Sequence, residues 1–275
     1  MQEELDECRY PFGNNLTKRF VSEGGEQLLY SPRKVSGHGE VTLVDYMGGD
    51  DTIEMVATAG RMRKIFPEKI SQSDFLGYLA EHGIHRPFKF GQLKYSFVAP
   101  IEVAFEFVYD PNGTGNEYSG RYSDMLDTAD VPDSTDIYKI MGSQSSGIDC
   151  DGIAESFQKM REKSVGNYRR LLEFGLAREL ARGGLGTDND TKFFWKIDIL
   201  SLSQLVKRVR DYPDSIGEMR RPYVKDVEKI AESVFPNSWK ALMGKERRIC
   251  SLTLPIDNEV GDGNLKESPW EKNFT

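Results

Sequence analysis

Apolar and polar residues alternate along two stretches in the first half of the chain, which is the pattern of half-buried β-strands. The first stretch is Glu40–Tyr46, and the Met47-Gly-Gly-Asp-Asp sequence after it is typical of a turn that ends a strand. The second stretch is Gln92–Val98, which leads into Ala99-Pro100. Its alternate apolar residues are Leu93, Tyr95 and Phe97. We therefore predict two strands at the start of the folded core.

Helical periodicity first appears between these two stretches. Asp74 or Ser73 can cap a helix that runs to His82, because a short polar side chain accepts a hydrogen bond from a backbone N–H in the first turn. Gly83 then supplies the left-handed residue that commonly ends a helix. We predict one helix here.

The second half of the chain is predicted to be largely helical. A helical stripe begins at about Gly152, and Gly175 ends it. Its apolar members are Ile153, Phe157, Met160, Tyr168, Leu171 and Leu172. A short helix over Ala177–Ala181 and a longer one over Leu200–Arg210 follow. A final amphipathic helix carries Val224, Val227, Ile230, Ala231 and Val234.

These patterns divide the chain into three parts. Residues 1–38 have no sustained period, so we interpret them as an N-terminal extension that is partly ordered at best. The core spans residues 39–245. Residues 246–275 end polar and rich in Gly, Asn and Glu, and are predicted to form a C-terminal tail.

Composition limits the partners of this core. The 275 residues carry a formal net charge of −8, so the protein as a whole should repel nucleic acid and anionic membranes, and any anionic ligand must be held by a local group of cations. No stretch approaches the ~18 apolar residues of a membrane span, and the N-terminal sequence is acidic where a secretion signal would be basic and then apolar. We predict a cytoplasmic protein with no nucleic-acid or membrane partner.

Cysteine and histidine usage gives no sign of a metal centre. The residues concerned are Cys8, Cys150, Cys250, His38, His82 and His85. The cysteines are odd in number and far apart, which fits neither a disulfide framework nor a zinc site. We expect no bound metal.

The segment Asn116–Ser123 combines an acid, a hydroxyl, a glycine and a cation within a few residues. Gly120 allows close approach of the backbone to a ligand, and the planar fork of Arg121 suits a phosphate or the edge of a pyrimidine. The alternative is an ordinary polar loop in which Arg121 pairs with Glu117. Arg178 and Arg182 are four residues apart, so they lie on the same face of the short predicted helix at Ala177–Ala181 and the residue after it. Their like charges repel each other unless an anion or solvent lies between them.

The sequence from Ala99 to Ser123 resembles, without a gap, the signature region of flavin-dependent thymidylate synthases. The resemblance extends over about residues 39–242. Gly39–Asp50 is similar to the family's first strand and turn, Phe75–Phe88 to its next helix and loop, and Leu171–Arg182 and Phe193-Phe194-Trp195 to its later helices. It implies an α/β (α+β) fold with a central, mostly antiparallel sheet flanked by helices, assembled as a homotetramer whose sites lie between subunits.

Carried over by position, the resemblance predicts a site for deoxyuridine monophosphate (dUMP). Its substrate-binding residues are Glu106, Glu117, Ser119, Gly120, Arg121, Tyr122, Arg182 and Arg210, with Ser119, Arg121 and Arg210 as the catalytic set. One position is ambiguous. Counting back from Glu218 selects Arg210, whereas counting forward from Ser201 reaches Val209, so Arg208 stays an alternative.

The flavin positions depart from the family. Its Arg-His-Arg motif is replaced here by Tyr109-Asp110-Pro111, which removes two cations, adds an anion and leaves no N–H at Pro111. Ile84 stands at the position where the family has a flavin-contacting histidine, and His85 is the next residue. The predicted cofactor-binding residues are His85, Tyr109, Asn116, Glu117, Asp198 and Gln204. Nucleotide positions are retained while flavin positions are replaced, so we expect FAD binding to be weakened or lost.

The resemblance implies transfer of a one-carbon unit from methylenetetrahydrofolate to C5 of dUMP, with NADPH and FAD supplying the reduction to dTMP. An alternative is a hydroxymethylase of the same fold acting on dUMP or dCMP, in which water replaces the hydride. Such chemistry would suit a virus that modifies its DNA. A non-catalytic nucleotide-binding homologue is the third interpretation.

Overall fold

The computed structural model describes residues 21–35, 37–59, 66, 70–129, 131–141, 147–213 and 217–244. The strands in these ranges are β1 (Arg33–Lys34), β2 (Glu40–Met47), β3 (Gln92–Pro100), β4 (Thr114–Glu117) and β5 (Asp190–Asp198). The helices are α1 (Glu23–Leu28), α2 (Asp50–Ala59), α3 (Gln72–Glu81), α4 (Ile101–Val108), α5 (Ser134–Met141), α6 (Cys150–Glu173), α7 (Arg178–Ala181), α8 (Ile199–Arg210), α9 (Arg221–Val234) and α10 (Pro236–Met243). Short 3₁₀ turns cover Arg86–Phe90 and Arg182–Gly184.

The five strands form one sheet in the order β1-β2-β3-β5-β4, and every neighbouring pair is antiparallel. One face of the sheet is buried against the helices. Its core residues include Val41, Leu43, Leu93, Tyr95, Phe97, Phe193, Trp195 and Ile197. The predicted class, a mostly antiparallel sheet with flanking helices, is confirmed.

The predicted helical assignment of Phe193-Phe194-Trp195 is wrong. These residues lie in β5, where Phe193 and Trp195 are buried and Phe194 is 53% exposed. A run of three aromatic residues has no polar position to show the two-residue period, so the sequence pattern alone did not mark a strand. Pairing of β5 with both β3 and β4 sets its conformation.

The ends of α3 partly match the prediction. Its N-cap is Ser71, not Ser73 or Asp74, because the Ser71 hydroxyl accepts a hydrogen bond from the Asp74 backbone N–H at 3.1 Å. The Asp74 carboxylate in turn accepts from that hydroxyl at 2.6 Å. Gly83 has a φ of 71°, which confirms the predicted left-handed end.

Helix α6 forms as predicted but starts at Cys150, where Asp149 caps it, and Gly175 follows its end with a φ of 79°. Of the six apolar residues in the predicted stripe, only Tyr168 is buried, and Met160 is 63% exposed. An apolar helix face left in solvent is typical of a surface that another chain covers.

Helices α2, α4, α5 and α10 were not predicted from the pattern. Helix α2 follows the Gly-Gly turn directly, and α10 begins two residues after α9 ends. Part of the predicted N-terminal extension is also regular, since α1 forms and β1 pairs with β2. The division at residues 38 and 245 stays a prediction, and the predicted tail lies outside the described residues.

The described residues were predicted to have neither a membrane nor a metal ion as a partner. None of the helices found there has the length and apolar content needed to cross a membrane. No group of three or more His, Cys, Asp or Glu side chains is placed there to hold a metal ion.

A buried carboxylate stands at the start of β5. Asp190 is 1% exposed, and neither of its carboxylate oxygens has a hydrogen-bond partner among the described residues. Burial raises the pKa of the Asp190 carboxyl, and Thr128, His38 and Arg161 oppose that rise without cancelling it. Asp188 adds to it.

The raised pKa predicts a pH-dependent stability. The folded state binds the Asp190 proton more tightly than the unfolded state, so the free energy of unfolding falls as the pH rises from the unfolded pKa through the folded one. Asp190→Asn should remove that fall and raise the free energy of unfolding at neutral pH by about 1 kcal/mol. Urea denaturation at several pH values measures this, with the exposed Asp51→Asn as control. Parallel pH curves for wild type and Asp190→Asn would contradict it.

Candidate functional site

The segment after β4 turns sharply and presents polar groups to one side. The Tyr118 N–H donates to the Lys192 carbonyl at 2.7 Å, which extends the sheet pairing by one residue. The Ser119 carbonyl then accepts the N–H groups of Tyr122 at 3.1 Å and Ser123 at 3.3 Å. Gly120 is buried at the centre of this turn, where a Cβ atom would overlap the Met125 sulfur. A larger residue there would have to displace the Met125 side chain.

This turn forms one wall of a cavity of about 590 Å³. The lining residues are Ile101, Glu117, Tyr118, Ser119, Arg121, Met125, Glu179, Arg182, Gly183 and Leu185. Two arginines from distant parts of the sequence thus meet around one space. We call it the Arg121–Arg182 cavity.

Neither Arg121 nor Arg182 forms an ion pair within the described part of the chain. The alternative in which Arg121 pairs with Glu117 is therefore not what the structure has. The Arg121 guanidinium instead lies 5.3 Å from the ring centroid of Tyr122. Both arginines keep their donors free in a protein with a net charge of −8, which favours an anionic ligand.

Helices α6 and α7 hold the segment that follows the turn. The Met125 N–H donates to the buried Tyr168 hydroxyl at 3.0 Å, and Arg178 pairs with Asp124 at 2.7 Å. The hydrogen bond to Asp124 raises the pKa of Arg178. Arg178 thus has its own counterion, and no anion shared with Arg182 is needed to explain the two neighbouring cations.

A second group of charges lies at the C-terminal end of α4. Its members are Glu106, Asp110, Arg208, Tyr212 and Arg220, and we call it the Arg208 cluster. Arg208 Nη2 contacts Glu106 Oε1 at 2.8 Å and Asp110 Oδ2 at 2.9 Å, and the Tyr212 hydroxyl donates to Glu106 at 3.1 Å. Desolvation lowers the pKa of Arg208, but its hydrogen bonds to Glu106, Asp110 and Tyr212 outweigh that effect and raise it.

The Arg208 cluster borders a shallower cavity of about 320 Å³. Phe105, Tyr109 and Pro111 complete its lining. Two carboxylates balance two guanidiniums in this cluster, so it offers an anion no net attraction.

A sequence model of the family described as "Thymidylate synthase complementing protein" matches residues 42–237, which include both cavities. The chain belongs to this family. Curated relatives agree over most of their length. The chain is 32% identical to the flavin-dependent thymidylate synthase of Wolbachia pipientis wMel over 202 residues, which are 70% of each protein.

Two further matches cover more of the partner chains. The flavin-dependent thymidylate synthase of Rickettsia bellii is 28% identical over 261 residues, 88% of this chain and 87% of that one. Among solved structures, the UMP/dUMP methylase PolB from Streptomyces cacaoi, bound with 5-Br UMP, superposes with a TM-score of 0.62. At 20% identity over 74% of this chain and 93% of PolB, that likeness concerns the fold.

The residues of this chain that are predicted to bind the nucleotide fall into two groups. Glu117, Ser119, Arg121 and Arg182 line the Arg121–Arg182 cavity, with Gly120 buried behind it. The remaining residues are elsewhere: Tyr122 is 77% exposed, Glu106 belongs to the Arg208 cluster, and Arg210 pairs with Glu228 at 2.5 Å. The structure therefore separates the two candidate arginines of α8, and a place for either in the nucleotide site stays a prediction.

The predicted flavin residues do not gather into a phosphate site. Asp198 caps α8 through the Ser201 N–H at 2.9 Å, His85 contacts the Ala80 carbonyl at 3.3 Å, and Tyr109 is 69% exposed. Two others, Asn116 and Gln204, are exposed on β4 and α8. Their roles toward a cofactor stay predictions.

The replaced motif itself does not fit the diphosphate of FAD. Asp110 is buried and negative, and the cation that pairs with it among the described residues, Arg208, is shared with Glu106. Pro111 has no N–H to donate. A diphosphate at Tyr109-Asp110-Pro111 would meet a carboxylate and no uncommitted cation of the motif.

Sequence reasoning missed part of the cavity lining. The lining residues that were not predicted as site residues are Ile101, Tyr118, Met125, Glu179, Gly183 and Leu185. Glu179 had a usable signal, since it lies between the two noted arginines in Arg-Glu-Leu-Ala-Arg. Met125 and Leu185 lie in irregular segments, where no period marks the direction of a side chain.

Proposed function

We propose that this protein transfers a one-carbon unit from methylenetetrahydrofolate to C5 of dUMP. The observation that carries the proposal is the presence of two arginines without ion pairs, Arg121 and Arg182, beside Ser119 and Glu117 in one cavity. A nucleotide monophosphate needs such donors for its phosphate, together with hydrogen-bonding groups that orient the base.

The residues divide the work as follows. Arg121 and Arg182 bind the phosphate and stabilise charge on the pyrimidine oxygens as the new bond forms at C5. The Ser119 hydroxyl orients the base, and Glu117 accepts hydrogen bonds from N–H donors of the ligand. No protein nucleophile is required in this scheme, because positioning and electrostatics supply the protein's share of catalysis.

The oxidation state of the product depends on a reductant. A methylene unit attached to C5 in place of a proton becomes methyl only when a hydride is added. Addition of water instead gives hydroxymethyl with no change in electron count. NADPH and FAD would supply the hydride for dTMP, as in the relatives named for flavin dependence, but the motif residues here do not fit FAD, so we derive no step through it.

Hydroxymethylation of dUMP or dCMP is the second candidate. The observation that favours it is the Asp110–Arg208 ion pair at 2.9 Å, which occupies the motif position of a flavin-binding residue. The Arg121–Arg182 cavity keeps its arginines, while an ion pair takes up the motif position of a flavin-binding residue. This combination suits a reaction in which water, rather than hydride, is added to the methylene unit.

One incubation tests both candidates. The protein is mixed with dUMP, methylenetetrahydrofolate, NADPH and FAD, and products are identified by mass. A methyl product supports the first candidate. A hydroxymethyl product, with tritium release from C5-labelled dUMP in the absence of NADPH, supports the second. The absence of product and of tritium release, with dUMP still bound, would leave the non-catalytic nucleotide-binding homologue.

We further propose a homotetramer. Helices α5 to α7 and the turns beside them expose large apolar side chains, which in a monomer would remain in water. They are Tyr138, Ile140, Ile148, Phe157, Met160, Phe174, Leu176 and Leu180.

Light scattering should therefore report a mass several times the 31.2 kDa of one chain. Met160→Glu, which places a charge at the centre of the exposed stripe, should shift the mass toward smaller species. A strictly monomeric protein that turns over substrate would contradict this architecture.

A further inference from the structure

We propose that Arg208 is a positioning residue for Asn116–Ser123, which we call the nucleotide segment, and that it acts through Asp110. The inference rests on the proposed function for its nucleotide readout. Helix α8 lies outside the Arg121–Arg182 cavity but fixes the chain before β4, the strand that leads to Ser119 and Arg121.

The first link is the ion pair itself. Asp110 Oδ2 lies 2.9 Å from Arg208 Nη2, and the Asp110 side chain is 2% exposed. A carboxylate removed from water in this way is costly without its partner, so the position of Asp110 depends on Arg208. Glu106 holds the same nitrogen at 2.8 Å, which fixes the guanidinium against the end of α4.

The second link joins Asp110 to the turn before β4. Its other oxygen, Oδ1, accepts the Asn112 N–H at 2.9 Å, and its backbone carbonyl accepts the Gly113 N–H at 3.1 Å. One residue thus bonds to α8 with one carboxylate oxygen and shapes a tight turn with the other. The turn ends at Gly113, directly before β4.

The third link is close packing on both sides of that turn. A Cβ at Gly113 would overlap the indole nitrogen of Trp195, and one at Gly115 would lie 2.7 Å from the Val108 backbone. The chain therefore passes between β5 and α4 with almost no freedom. Four residues later it reaches Ser119 in the cavity wall.

Asp110 has no counterpart in the Arg-His-Arg motif, so this connection belongs to the present chain. Asp110, which replaces a residue of that motif, has a structural role in the turn before β4. The two arginines of α8 thus differ in their partners, since Arg210 pairs with Glu228 on α9 and Arg208 with Asp110.

The test compares Arg208→Ala, Asp110→Ala and the double variant by calorimetry with dUMP. Each single variant should weaken binding by about tenfold. If Arg208 acts through Asp110, adding Arg208→Ala to Asp110→Ala should produce little further loss. Arg208→Lys, which keeps one charge-assisted contact, should recover part of the affinity. A full further loss in the double variant would mean that Arg208 contacts the nucleotide itself and would overturn the proposal.

Arg33→Ala is the matched control for simple destabilisation. Arg33 forms a comparable, partly buried pair with Asp226 at 3.1 Å and lines neither cavity. It should lower the melting temperature while leaving dUMP affinity unchanged. Should Arg208→Ala fail to fold, Arg208→Lys and Asp110→Asn make the same comparison.

Hydrogen exchange gives a readout that does not depend on the proposed function. Backbone amides of residues 112–118 should exchange faster in Arg208→Ala and in Asp110→Ala than in wild type, and Arg33→Ala should leave them unchanged. Unchanged exchange there would overturn the positioning role. Failure of the wild-type protein to bind dUMP, with faster exchange in the variants, would count against the proposed function alone.

Discussion

Arg121→Ala is expected to weaken dUMP binding by on the order of 2–3 kcal/mol, or roughly 30- to 150-fold in Kd. The guanidinium has no ion pair within the described residues, so its removal leaves no carboxylate uncompensated and the loss reports on the ligand contact itself. Calorimetry on the wild type and the variant measures the effect. An unchanged affinity would refute the site assignment.

Two companion variants sharpen this test. Arg121→Lys keeps the charge but not the planar fork, so an intermediate loss would indicate a bidentate contact. Arg170→Ala removes an exposed arginine of α6 whose guanidinium contacts Asn167 and which lies outside both cavity linings. It should leave affinity unchanged, which excludes a general effect of net charge.

Two of the five strands and one wall of the Arg121–Arg182 cavity were predictable because their signals are local. Alternation over Glu40–Tyr46 and Gln92–Val98 marks half-buried strands, and both form. Glu117, Ser119 and Arg121 lie within five residues, so a short motif was enough to place them in one wall.

The Arg208 cluster could not be predicted in the same way. Glu106 and Arg208 are 102 residues apart, and no local pattern connects the last turns of two separate helices. Sequence comparison also left Arg208 and Arg210 as alternatives. Two residues apart on an α-helix means about 200° of rotation, so a small counting error selects the opposite face. Only the packed helices show that one arginine faces Asp110 and the other Glu228.

The exposed stripe on α6 was difficult for a different reason. Helical spacing of apolar residues predicts which side of a helix avoids water, but not whether its own chain or another covers that side. The sequence therefore indicated the helix correctly while saying nothing about the exposed state of Met160.

FAD should bind at least about tenfold more weakly to this protein than to the flavin-dependent thymidylate synthases it resembles, and the purified protein should be substantially colourless. At ~5 Å and an effective dielectric of ~20, a lone Asp110 would repel a diphosphate charge by roughly 3 kcal/mol. Because Arg208 lies 2.9 Å from Asp110, part of that repulsion is compensated. The larger loss is the attraction of two missing arginines. A protein that purifies with one tightly held FAD per subunit would contradict this.

Restoring the motif should reveal the two roles of this segment. The triple replacement of Tyr109-Asp110-Pro111 by Arg-His-Arg adds cations for a diphosphate, so flavin absorbance after reconstitution should increase. It also removes Asp110, one of the two carboxylate partners of Arg208, so dUMP affinity should fall. Tyr109→Arg alone adds a cation at a residue that is 69% exposed and leaves the Asp110–Arg208 pair intact. That variant should gain flavin affinity without losing dUMP affinity, because the bonds from Asp110 to Arg208 and to the turn before β4 are kept. Equal loss of dUMP affinity in both variants would show that the motif and the nucleotide segment are coupled through another contact.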